Sequence, residues 1–135
     1  MSESHQPQRL RPAPRERFAE SQIFVDLDRH FEALATEEHD GVDGHRQITL
    51  YKGEGTTVVA LLFERQGFFR PHQIDGLVTL QVLEGKIALQ GPQEKESQKA
   101  LLGPGSMLIL ESTQTFSLRA EEPSRMLFTV ATQSS

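Results

Sequence analysis

From Gln47 onward the chain is a succession of short β-rich runs, each closed by a turn signal. Gln47–Lys52 ends at Gly53-Glu54-Gly55. Thr56–Arg65 follows, with a nearly continuous apolar centre that predicts cover on both faces. Gln66-Gly67 turns, and Phe68–His72 is cut by Pro71, which lacks the N–H a central strand needs. Leu77–Leu83 and Lys86–Gln90 read as a hairpin across Glu84-Gly85, followed by the polar loop Gly91–Gln98. Lys99–Leu102, the turn Gly103-Pro104-Gly105, Met107–Glu111, Thr115–Arg119 and Arg125–Thr132 complete the series. About nine or ten short strands spaced in this way predict an antiparallel sandwich or jelly roll.

The part before Gln47 has a different character. Residues 1–20 are rich in Gln, Pro, Arg and Glu, and too poor in large apolar side chains to offset their ordering entropy. A flexible tail is expected there, with the folded domain over 21–135. Ile23, Val25 and Leu27 alternate as in a short strand. Leu27, Phe31 and Leu34 then recur at helical spacing, predicting one short helix over about 27–37. Asp26 or Asp28 would cap its start by accepting a free backbone N–H. The segment from Glu37 to His45 gathers Glu37, Glu38, His39, Asp40, Asp43 and His45. It fits neither an EF-hand loop nor His-Glu-x-x-His, and its two glycines favour a solvated loop.

Composition excludes several function classes. At 135 residues the chain is one domain with room for a core. The net charge is −5, and Lys and Arg are scattered without a basic stripe, so no nucleic-acid partner is expected. With no cysteine there is no disulfide and no thiolate metal site. The N-terminus has no apolar stretch for a signal peptide, and Val58–Phe63 is too short to span a bilayer. A cytoplasmic protein without a membrane partner is expected. No serine sits in Gly-x-Ser-x-Gly, and no glycine-rich phosphate loop opens a helix.

The stretch Gly67–Gly85, GFFRPHQIDGLVTLQVLEG, together with Gly103–Leu118, resembles the cupin superfamily of small jelly-roll barrels. The first motif of that family is Gly-(x)5-His-x-His-(x)3,4-Glu-(x)6-Gly. Val82-Leu83-Glu84-Gly85 is similar to its end. Counting back from Gly85 puts Val78 at the glutamate position, Ile74 at the second histidine and His72 at the first. The second motif is Gly-(x)5-Pro-x-Gly-(x)2-His. Counted from Gly105, it places Glu111 at the proline, Thr113 at the glycine and Phe116 at the histidine. The resemblance covers roughly 45–132 and implies an all-β cupin-type barrel with one short N-terminal helix. It also implies a homodimer, with an N-terminal strand able to add to the partner's sheet.

Of the family's four usual ligand positions only His72 keeps a ligating side chain. A bound Zn or Fe ion needs three or four converging donors, which one imidazole cannot supply. No metal or other cofactor is expected. His72, Ile74, Val78 and Leu80 differ by even numbers and share a strand face, and Phe116 and Leu118 face them. These six residues are the expected ligand pocket: an apolar lumen with one imidazole. His72 is either a satisfied interior histidine or a polar anchor for a ligand. Thr79 and Gln81 point away by parity.

The leading expectation is a metal-free domain that binds a small, largely apolar molecule or serves as a sensor or interaction module. One alternative is a metal-dependent enzyme, a dioxygenase or isomerase, with ligands such as His45 beside His72. The other is a structural dimer with a filled barrel.

Overall fold

The computed structural model describes residues 16–19, 22–38, 41–71, 74–90, 99–111 and 115–132, with backbone alone for 16–19 and Lys99. In chain order the elements begin with β1 (Glu16–Ala19), β2 (Gln22–Phe24) and α1 (Leu27–Ala35). There follow β3 (His45–Gly53), β4 (Thr56–Phe63), β5 (Phe68–Phe69), β6 (Leu77–Glu84) and β7 (Ile87–Gln90). The last are β8 (Lys99–Leu102), β9 (Met107–Leu110), β10 (Ser117–Ala120) and β11 (Ser124–Ala131). β1 and β2 form an antiparallel ribbon of their own. The rest make two antiparallel sheets, ordered β3-β4-β11-β6-β9 and β5-β10-β7-β8.

Strict alternation decides what lies between the sheets. Val59, Leu61 and Phe63 of β4, Val78, Leu80 and Val82 of β6, and Met126 and Phe128 of β11 point inward. They meet Ile87, Leu89, Leu102, Leu118 and Ala120 from the four-stranded sheet. The other face of β4 packs Val58, Ala60 and Leu62 beneath Phe31 and Leu34 of α1. The continuous apolar run of β4 is therefore explained as expected, by burial on both sides.

α1 is held at both ends. Asp26 is the cap, its carboxylate accepting the Arg29 N–H at 3.3 Å. The helix stops at Ala35, two residues earlier than the spacing predicted, because Thr36 closes it. The Thr36 hydroxyl donates to the Glu32 and Ala33 carbonyls, and Arg46 Nη1 donates to Leu34 O at 2.9 Å. Leucine, phenylalanine and leucine at helical spacing thus seal the outer face of β3 and β4.

Two expectations need correction. β6 and β7 are not a hairpin: β6 pairs with β11 and β9, and β7 with β10 and β8. The Glu84-Gly85 turn is a corner at which the chain passes from one sheet to the other. Gly85 takes φ +95°, and a Cβ there would collide with Ser124 and with the Pro123 carbonyl. A local turn signal cannot distinguish a hairpin from a sheet-crossing corner. The second concerns the tail. Residues 16–19 form β1, a pairing with β2 that composition did not predict. Residues 1–15 lie outside the described residues.

Candidate ligand site in the barrel

The four-stranded and five-stranded sheets close against each other between β5 and β3. The Phe68 N–H donates to Asp43 O at 2.8 Å, and His45 Nδ1 lies 2.8 Å from Phe68 O. A carbonyl only accepts, so Nδ1 carries the hydrogen and, in the neutral ring, Nε2 is left as an acceptor. Gly44 and Gly67 touch at this seam: a Cβ on Gly67 would fall on the Gly44 carbonyl.

Above the seam the interior is aromatic. The His45 ring meets Phe69 edge-on with centroids 5.0 Å apart, and Phe63 lies 5.9 Å away. Phe69 meets Phe128 edge-on at 5.6 Å, and Phe128 lies 6.4 Å from Phe116. These are ordinary aromatic packing distances. Phe116 and Phe128 are buried, whereas Phe69, Ile74, Leu108, Leu110 and Val130 cover the core only in part.

Of the six predicted pocket residues, four stand together inside the barrel: Val78, Leu80, Phe116 and Leu118 are all buried. Their side chains pack in the central core with Phe128. Ile74 sits beside them, partly covered. It precedes the bend at Asp75-Gly76, so the regular alternation begins only at Leu77. His72 lies outside the described residues, and so do His39 and Asp40 of the acidic loop. Thr79 and Gln81 stand on the outer side of β6, opposite Ile109 and Met107 of β9, as parity requires. Glu111 is exposed. Sequence reasoning did not place Phe69, Phe128 and Val130 in this group. Their even spacing along β5 and β11 was visible, but not the pairing that brings them to Phe116.

The donor set can be tested against the metal that such barrels imply. Three of the four motif positions carry isoleucine, valine and phenylalanine, which have no lone pair to give. Among the described residues no three His, Asp or Glu side chains come together in a metal-holding group. These side chains do not fit a metal centre. Among the same residues no helix is long and apolar enough to cross a membrane.

By sequence the chain matches no family model and no curated protein. By structure it matches many solved chains. One is a cupin superfamily protein of Desulfitobacterium hafniense, with TM-score 0.60 and 12% identity, over 70% of this chain and 84% of that one. Another is an RmlC-like cupin of Desulfovibrio desulfuricans, with TM-score 0.58 and 18% identity, over 71% and 92%. KdgF from Halomonas sp. gives TM-score 0.58 and 18% identity, over 72% and 86%. The fold is the cupin fold. At these identities the likeness is one of backbone architecture. Conserving the cupin scaffold requires the alternating apolar strands and their corners, and places no demand on the side chains at the ligand positions.

Proposed function

We propose that this cupin domain is a metal-free binding module whose barrel takes a small, largely apolar molecule. The observation that carries the reading is the exchange of coordinating for apolar side chains at Ile74, Val78 and Phe116. Phe69, Ile74, Leu110 and Val130 are partly covered and pack against the core that holds Phe116 and Phe128, so a small ring seated beside them gains apolar contact. His45, held through Nδ1, supplies a fixed polar contact beside them. His72 is the second candidate for that role.

The test is a titration of isotope-labelled protein with toluene, followed by amide chemical shifts. Shifts confined to Phe69, Ile74, Phe116, Phe128 and Val130 are expected, and Val130→Arg should abolish them. No shifts, or shifts on another face, would favour a filled barrel. In parallel, about one equivalent of Fe, Mn, Ni or Zn surviving chelation would overturn the metal-free reading.

The same reading takes the working form to be a homodimer. Met107 and Ile109, each 53% exposed, and Leu77 are exposed apolar side chains on the outer face of the five-stranded sheet. Sedimentation should give a dimer for the parent and a monomer for Ile109→Arg. An unchanged dimer in that variant would exclude this face as the interface.

A further inference from the structure

The outer face of the four-stranded sheet carries charge that no described acidic side chain answers. Strand register lines up Phe68, Arg119, Ala88 and Leu101 in one row across β5, β10, β7 and β8. The Arg119 guanidinium lies over the Phe68 ring, 5.0 Å from its centroid, and Arg70 lies 5.5 Å from the same centroid. Arg119 Nη1 donates to Gln66 O at 3.1 Å, which fixes the fork in place. The row ends on Leu101, 57% exposed, with the small Ala88 between it and Arg119. None of the four strands contains an aspartate or glutamate. Among the described residues neither arginine has an ion pair, in a chain with 19 acidic and 14 basic residues.

The opposite sheet shows what completes such a group. Arg125 lies over Phe31 at 5.2 Å, and its guanidinium is also 3.4 Å from Glu84 and 3.5 Å from Asp28. There the guanidinium on its aromatic ring is finished by two carboxylates, one of them delivered by the amphipathic helix that covers the sheet. Among the described residues, Arg119 and Arg70 on Phe68 are the same arrangement without the carboxylates and without a covering helix. A stacked, pre-oriented guanidinium is weakly hydrated and suited to bidentate carboxylate recognition.

We propose that this face docks an acidic polypeptide segment, whose carboxylates meet Arg70 and Arg119 and whose apolar side chains lie on Ala88 and Leu101. The surface is the outer side of the four-stranded sheet, not the barrel interior, so it is tested independently of the ligand reading.

The probe is a blocked hexapeptide, Glu-Leu-Glu-Glu-Leu-Glu, titrated into the isotope-labelled full chain beside its glutamine counterpart. The glutamate peptide should shift the amides of Phe68, Ala88, Leu101 and Arg119, and weaken steadily as salt rises to about 0.3 M. Substituting Arg70→Ala and Arg119→Ala together should weaken binding at least about tenfold. Arg119→Lys keeps the charge without the planar fork and should fall between. Melting curves of the variants check that each is folded. Equal binding of the glutamine peptide, or undiminished binding to the folded double variant, would overturn the proposal. So would inorganic phosphate producing the same shifts at equal concentration, since the face would then hold free anions. Binding that emerges only after Glu94→Gln and Glu96→Gln would show instead that the chain's own loop takes the place. Absence of any binding would also overturn it.

Discussion

The two sheets of this barrel treat their outer faces differently. On the five-stranded sheet α1 lays Phe31 and Leu34 over Ile48, Leu50 and Ala60, and Arg125 ties the helix down through Asp28 and Phe31. On the four-stranded sheet Phe68, Arg119, Ala88 and Leu101 stand in a row that no described helix covers. Both faces use an arginine on a phenylalanine. Among the described residues, only the first is supplied with acids and a covering helix. The comparison teaches that the first face is completed by the fold, and that the second, among the described residues, is the one on which the docking proposal rests.

The difference can be broken first at the helix. Phe31 is 1% exposed and belongs to the core between α1 and the outer face of β3 and β4. Phe31→Ala should cost about 3–5 kcal/mol, the range for removing a buried aromatic side chain. Denaturant unfolding measures this, and a loss below about 1 kcal/mol would mean that α1 is not an integral cover. Leu101→Ala on the other face would serve as the control.

The arginines give the smaller and sharper test. Arg125→Ala removes a cation–π contact and two ion pairs whose carboxylates are largely exposed, so solvent screening limits the loss to about 1 kcal/mol. The loss should shrink as salt rises. Arg119→Ala should change stability by no more than about 0.5 kcal/mol, as expected of a surface residue outside the core. Paired melting curves at low and high salt decide the matter. Equal losses at the two arginines would erase the distinction drawn between the faces.

Much of the architecture was legible in the residues. Alternation in Leu77–Leu83 put Val78 and Leu80 inside and Thr79 and Gln81 outside, because side chains on a strand alternate with period two. The continuous run in β4 announced burial on both faces, and Leu27, Phe31 and Leu34 announced the helix. The apolar character of three motif positions was also plain, since it depends only on what isoleucine, valine and phenylalanine lack. Gly85 was misread because a glycine with positive φ serves a hairpin and a sheet-crossing corner equally well.

What the sequence by itself determined, then, is everything with a local period or a fixed chemistry: which strand faces are apolar, where the helix lies, and which side chains have no lone pair for a metal. Only the tertiary structure decided the neighbours. Arg119 meets Phe68 and Gln66 through the pairing of β10 with β5, and Phe116 meets Phe128 across the barrel interior. Such contacts join residues far apart in the chain, and their register is chosen by the whole core at once. Arg119 and Arg70 come together for that reason, because β10, which carries Arg119, is hydrogen-bonded beside β5, which ends just before Arg70.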